Sequence, residues 1–397
     1  MAKAIRRKDE DILKNLYPGD RGTLVYYLQL ALNRAGNTLA LDGIFGNATC
    51  AALQRFLGQT RECAADGAAW ERLIPYLKGY EIRNGEQQVR YEQNVVSTAV
   101  PYSSLLVDFV IEGLTTRYPF LETGSIGRSV MGKQIPYLRM GNGATEVFYN
   151  ASFHANESIT TPVLLKFIED YARAYVKGED FHGVPSSKLF ADYQLYLVPL
   201  VNPDGVDLVN GLLTNGVYYR RARQIAADYP AIPFPAGWKA NIEGTDLNLQ
   251  FPAGWENAKE IKYAQGYVGP APRDFVGSAP LAAPESEAVY RFTLEHDFSL
   301  ILAYHTQGEV IYWKYLDYEP ERSYEIAQYF GEVSGYTVEV TPQESGYAGY
   351  KDWFIQQYNR PGYTIEVGLG ENPLPMSQFD QIYEDNIGIL LGGMTQI

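Results

Sequence analysis

The sequence predicts an α/β sandwich preceded by a small three-helix domain, and three observations lead to that architecture. Apolar, β-rich runs alternate with helix-period patterns from about residue 102 to the C-terminus. The first 78 residues carry helical periodicity alone, and a polar stretch separates the two parts. At 397 residues, with 46% hydrophobic and 20% charged side chains, the chain is long enough for two soluble globular domains.

In the first part, Val25, Leu28 and Leu32 share one face of a helix that Gly36 ends. A second helix is expected near Ala51 to Leu57. Asp42-Gly43 and Asp66-Gly67 mark turns after which helical signals restart, which gives three helices in two related halves. Cys50 and Cys63 are too few for a four-thiolate metal site, and two free, buried thiols are the expectation. Residues 79–101, with Arg83, Asn84, Gly85, Glu86, Gln87 and Gln88 in a row, read as an exposed linker.

In the second part, Val147 to Ala151, Tyr193 to Val201, Phe298 to Tyr304 and Tyr363 to Val367 read as buried strands. Between the first two lies a helix with Thr161 as its N-cap and Pro162 in its first turn. Active sites of such sandwiches lie at strand ends.

A net charge of −14 excludes a non-specific nucleic-acid binder, because neutralising phosphates needs a basic face. No stretch approaches 18 continuous apolar residues, and residues 1–19 lack a signal-peptide core, so a soluble chain acting inside the cell, with no membrane partner, is the expectation. The 32 tyrosines suit a cleft for carbohydrate or peptide, although tyrosines also fill cores.

Two constellations carry chemistry. His154-Ala155-Asn156-Glu157 leaves a strand end, and imidazole with carboxylate is a ligand combination that catalytic Zn²⁺ accepts. Of the other three histidines, His305 directly follows a strand, whereas His296 lies in a helical stretch and His182 in a polar loop, so His305 is the natural third ligand. H-x-x-E alone occurs often by chance, and solvated loop residues or a core histidine are its ordinary readings. Glu366 sits in the apolar strand Tyr363-Thr364-Ile365-Glu366-Val367, where an ionisable group is costly unless it is paired or faces a cleft. An edge strand with Glu366 on its wet face is the alternative.

The order of motifs resembles the zinc metallocarboxypeptidases similar to pancreatic carboxypeptidase A. It runs through the H-x-x-E loop, Asn202-Pro203-Asp204-Gly205, Tyr219-Arg220-Arg221-Ala222-Arg223, Asp246-Leu247-Asn248, His305, and Asp352-Trp353 with Glu366 fourteen residues after the Asp. That resemblance implies a mixed-sheet α/β/α sandwich binding one zinc ion through His154, Glu157 and His305. It also implies Glu366 as general base, Arg220 as the oxyanion-stabilising cation with Arg223 sharing or taking that task, and Asp246 orienting the first histidine. Asn248 falls in the substrate clamp, but Leu249 stands where the digestive enzymes have an Arg for the terminal carboxylate. Tyr347 is the candidate substrate-contacting tyrosine.

The run from Asp246 to Trp255 is more similar to the bacterial γ-D-glutamyl-diaminopimelate peptidases, which cut stem peptides of peptidoglycan. Gly22, Leu28-Gln29, Leu32, Asp42-Gly43, Phe45-Gly46, Thr49, Ala52, Phe56, Asp66-Gly67, Trp70 and Leu73 resemble the peptidoglycan-binding module carried by many wall hydrolases. The resemblance thus implies a wall-binding module over residues 1–78, a linker over 79–101 and a zinc peptidase domain over 102–397. Stem peptides and wall polymer would be its partners, during sporulation or on recycled wall fragments. A carboxypeptidase acting on ordinary C-termini and a non-catalytic wall-binding protein are the alternatives.

Overall fold

Gln29 organises the first part of the chain. Its side-chain amide donates to Asp42 Oδ1 (2.7 Å) and Ile44 O (3.1 Å), and its carbonyl oxygen accepts from Gly43 N (2.9 Å). Gly43 has φ +66°, and a Cβ there would lie 2.4 Å from the Tyr26 ring, so only glycine closes this turn. Three helices follow the sequence pattern: α1 (Thr23–Arg34), α2 (Asn47–Leu57) and α3 (Gly67–Leu77), the last capped by Asp66, which accepts from Ala69 N at 2.9 Å. Cys50 and Cys63 form a disulfide, which corrects the expectation of free thiols; at a separation of 13 in sequence, Cys63 returns to Cys50 in the first turn of α2.

In this computed structural model the structure describes residues 13–58, 63–89 and 93–397, so parts of the expected module and linker (1–12, 59–62 and 90–92) lie outside the described residues. The chain divides into two compact units, Met1–Pro119 with Asn210–Leu212, and Phe120–Val209 with Leu213–Ile397. The segment read as a linker carries a hairpin of β1 (Tyr80–Arg83) and β2 (Glu86–Val89), followed by helix α4 (Ser104–Arg117) within the first unit. Arg34 holds this segment down, donating to the carbonyls of Tyr76, Leu77, Asn94 and Val95 at 2.7–3.0 Å. Arg117 donates to Gly79 O at 3.0 Å. Buried backbone carbonyls take partners wherever side chains reach them, and that reach was not legible in the polar composition.

The second unit is built on an eight-stranded mixed sheet. Its strands are β3 (Glu122–Arg128), β4 (Gln134–Met140), β5 (Thr145–Ala151), β6 (Tyr193–Val198), β7 (Leu300–His305), β8 (Val310–Tyr312), β9 (Thr337–Glu339) and β10 (Gly362–Glu366), in the order β9-β8-β10-β7-β5-β6-β4-β3. The central four, β10, β7, β5 and β6, are mutually parallel, so their C-terminal ends open on one edge. Side chains alternate between the faces. Phe148, Tyr196, Val198, Ile301 and Ala303 pack with Phe292 of α8 (Pro284–Leu294) and with Tyr350, Trp353 and Phe354 of α9 (Tyr350–Tyr358). On the opposite face Tyr149 donates to Leu390 O of α10 (Phe379–Thr395) at 2.8 Å.

The helix after β5, α5 (Thr160–Lys177), begins two residues earlier than the sequence suggested, with Ile159 at the N-cap position. Thr161 is not its N-cap, because its hydroxyl donates to Pro199 O at 2.6 Å and Thr160 Oγ1 donates to Glu157 O at 2.8 Å. Both hydroxyls instead fasten the loop that carries His154.

Candidate active site

Three parallel strands deliver the site. After β5, Ser152 at φ +54° turns the chain, and Phe153 O accepts from Asn202 Nδ2 at 3.1 Å. That same amide nitrogen donates to Ala240 O at 3.1 Å, and Ala155 N donates to Lys239 O at 2.9 Å, so the backbones of His154 and Lys239 are clamped side by side. Gly205 of α6 (Pro203–Val209) completes the clamp, since a Cβ there would lie 2.6 Å from Asn202 Oδ1 and 2.8 Å from Ala155 Cβ. The Asn202-Pro203-Asp204-Gly205 motif is thus a bracket for the site loop. His305 ends β7, Glu366 ends β10, and the register pairs the two residues directly.

His154, Glu157 and His305 are buried, and their ligand atoms all lie within 4.8 Å of one another. His154 Nδ1 is 2.9 Å from Glu157 Oε1 and 3.1 Å from His305 Nδ1, and His305 Nδ1 is 3.0 Å from Glu157 Oε2. Two imidazole nitrogens and a carboxylate facing one point form a donor set suited to a catalytic zinc, with a coordination position to spare. The far side of His154 is held by Asp246, whose Oδ1 lies 3.1 Å from Nε2 and itself accepts from Asn248 N at 3.2 Å. Asp274 N donates to the other Asp246 oxygen at 3.2 Å. This is the arrangement by which an outer carboxylate fixes the orientation of a ligand ring.

The electrostatics follow from crowding buried charges. Burial pulls the His154 imidazole down, but Glu157 and Asp246 outweigh it and lift it to about 9. Burial alone would raise Glu157 and Asp246; His154 and Lys239 hold both carboxyls below their ordinary range. Burial together with the charge of Glu157 outweighs Lys239 and His154 at Glu366 and pushes it up to about 8.

Two cavities meet at Glu366. Lys239, Arg273, Tyr312 and Glu366 line both. The first lobe adds Asp246, Asn248, Leu249, Lys262, Asp274, Lys351 and Asp352; the second is lined largely by uncharged groups, among them Asn156, Thr306, Gln307 and Asn372. His154, Asp246, Asn248, Leu249 and Glu366 therefore come together as the sequence suggested. Arg220 and Arg223 do not. Both are exposed on α7 (Gly216–Ala227) and line neither lobe. Tyr347 packs beside Leu249 and Trp255 and lines an adjoining depression with Tyr315 and Lys314, which shares Thr341 and Asp352 with the first lobe. His296 pairs with Glu146 at 3.2 Å, away from the site.

Sequence reasoning missed Lys239, whose Nζ lies 3.1 Å from Glu157 Oε1, and also Arg273, Tyr312 and Lys351. Lys239 and Arg273 lie in irregular chain where no period marks a side chain as inward. Lys351 had one available signal, its place next to the Asp352-Trp353 motif.

Comparison with known proteins agrees with this geometry. Residues 108–388 match the family model described as zinc carboxypeptidase. The chain is 46% identical over 294 residues, 74% of its length and 72% of the relative's, to gamma-D-glutamyl-L-diamino acid endopeptidase 1 of Lysinibacillus sphaericus. It is 42% identical over 307 residues to the protein YqgT of Bacillus subtilis, covering 77% of this chain and 80% of that one. Its fold is similar to carboxypeptidase A from Helicoverpa armigera, with a TM-score of 0.55 at 19% identity over 85% of this chain and 83% of that one. With its buried His-Glu-His set at the ends of parallel strands, the chain belongs to the zinc carboxypeptidase family.

Proposed function

We propose that the protein hydrolyses the γ-D-glutamyl amide bond to the diamino acid of peptidoglycan stem peptides. The observation that carries this reading is the convergence of His154, Glu157 and His305 beside Glu366, in a chain 46% identical to an endopeptidase named for that bond. His154, Glu157 and His305 would hold the zinc, which when bound would supply Lewis acidity toward the amide carbonyl and a water. Asp246 keeps the His154 ring turned so that Nδ1 faces the metal position.

Glu366 takes the proton of the attacking water and returns it to the leaving amine, a two-way transfer for which its raised basicity suits it. The negative charge that develops on the carbonyl oxygen needs a fixed cation nearby. Lys239 is in place for it, lining both lobes where they meet at Glu366, whereas Arg220 and Arg223 stand outside the cleft. Leu249 supplies no donor to a terminal carboxylate, which favours this substrate over ordinary protein C-termini.

We assign wall binding to residues 1–78, on the Gln29-Asp42-Gly43 turn and the three helices, with action on wall peptides during sporulation or recycling. No described helix is long and apolar enough to cross a membrane.

The test is mass spectrometry of products from L-Ala-γ-D-Glu-meso-diaminopimelate, with and without a chelator, beside an ordinary peptide. Chelator-sensitive release of diaminopimelate with the ordinary peptide intact is expected. Loss of only the ordinary peptide's C-terminal residue would overturn the substrate assignment. Sedimentation of the full chain with insoluble peptidoglycan tests the module, and a chain left wholly in the supernatant would refute it.

A further inference from the structure

We propose that Glu285 and Asn241, a buried pair outside the cleft, are positioning residues that hold the loop carrying Lys239 at one end and Asp246 at the other. The inference rests on the function proposed above, which gives those two groups their tasks. Glu285 lies in the first turn of α8 and is fully buried, and Asn241 is 1% exposed. Glu285 Oε2 accepts from Asn241 Nδ2 at 3.1 Å, and Oε1 accepts from Val130 N, in the turn between β3 and β4, also at 3.1 Å. Neither residue lines either lobe.

Asn241 closes the loop on itself. Its Oδ1 accepts from Glu243 N at 3.1 Å and from Thr245 N at 3.0 Å, and its N donates to Thr245 O at 2.8 Å. Its carbonyl accepts from Trp238 Nε1 and from Gly244 N, both at 3.0 Å. Two N–H donors on Oδ1 fix which way the amide points, so Nδ2 is the atom left to reach outside the loop, and it meets Glu285. Lys239 stands two residues before Asn241, and Asp246 directly follows Thr245. A second contact from α8 lies just beyond, where Ser286 Oγ donates to Leu247 O at 2.8 Å. The start of the helix thus grips the chain on both sides of Asp246.

Burial raises the Glu285 carboxyl to about 7, against the bonds from Val130 N and Asn241, and Asp204 adds its charge to the effect of burial. An apolar side chain of that volume would be buried at lower cost. What the carboxylate adds is an acceptor in each of two directions, one toward the β3–β4 turn and one toward the loop. Lys239 and Asp246 stand in irregular chain with no strand ladder to fix them, and a helix-borne anchor supplies that reference. A cation facing developing charge, or a carboxylate orienting a ligand ring, loses much of its effect when displaced by about 1 Å.

Reversing the polarity of the bond tests this. Asn241→Asp keeps the acceptor for Glu243 N and Thr245 N but sets a carboxylate against Glu285. Adding Glu285→Gln lets the new amide donate to the new carboxylate, while its carbonyl oxygen still meets Val130 N. Asn241→Asp should lower kcat on the diaminopimelate tripeptide by about tenfold to a hundredfold with KM little changed, and weaken zinc binding, measured against a competing chelator, by about tenfold. The double variant should bring both back to within about threefold of wild type. Glu285→Met, which empties both acceptor directions, should repeat the loss and replaces Asn241→Asp in the test if that variant does not fold. A role in folding alone would lower the melting temperature and leave kcat and zinc affinity of the folded variant unchanged, and that result would overturn the inference. So would a double variant that recovers neither quantity. If the wild-type protein leaves the tripeptide intact, the proposed function falls, and zinc affinity across the same variants still decides the pair.

Discussion

The cleft is built from two kinds of chain. His154, Glu157, His305 and Glu366 hang from the ends of parallel strands or from a loop bracketed to them, and the ladder pairs Glu366 with His305 across neighbouring strands. Lys239, Arg273 and Lys351 come from the irregular stretch after α7 and from the start of α9, with Lys239 held by a few hydrogen bonds, Lys239 N to Pro272 O at 2.8 Å and Ala155 N to Lys239 O at 2.9 Å. Strand ends place an atom through many shared ladder bonds, whereas loops place it through a few local ones. Metal holding and proton transfer are thus tied to the strand ends, and the charged walls of the cleft, Lys239 included, to the irregular chain.

The sharpest way to break that division is at Glu366. Glu366→Gln keeps the shape and the strand but cannot take a proton, and turnover should fall by about a thousandfold, within the range of general-base contributions. Zinc content, measured by atomic absorption, should stay near one per chain. Turnover within tenfold of wild type would move the base to another residue.

Next in size is the cation. Lys239→Met should lower kcat by about a hundredfold with KM little changed, as for a lost oxyanion donor. Arg220→Ala should change it by less than about threefold, because the arginine stands exposed outside both lobes. Steady-state kinetics on the diaminopimelate tripeptide decide between them. The opposite ranking would mean that α7 swings over the cleft when substrate binds, and would transfer the role to the residue that the motif order favours.

How much of this was legible in the sequence follows the same line. The strands around Phe148, Tyr196, Ile301 and Tyr363 were readable because burial on both faces leaves a continuous apolar run. His305 and Glu366 were readable because such a run ends at them. Arg220 was placed in the site by motif order, but motif order carries no information about which side of a helix faces inward. Lys239 was hidden because its inward position depends on Asn202 and Ala155, distant in sequence and adjacent only after folding. The Cys50–Cys63 bond and the fastening of Asn94 and Val95 by Arg34 were hidden for the same reason.

The last expected effect concerns the metal and the pH. Without metal, Glu157 and Asp246 keep His154 protonated up to about pH 9, although burial opposes this. Its folded-state value lies above the unfolded one, so its pairing stabilises the metal-free fold fully below pH 6.5, and that contribution is lost as pH rises through about 9. Zinc and the proton compete for the same nitrogen. Zinc affinity should therefore rise by about tenfold per pH unit between pH 6.5 and 9, one proton being released per ion, and level off above. Competition against a chelator of known affinity at several pH values measures the slope. A flat profile over that window would mean that the imidazole is already neutral in the metal-free protein. Asp246→Asn, which removes one of the two carboxylates holding that proton, should shift the levelling-off to lower pH, while replacing Arg220 should leave it where it was.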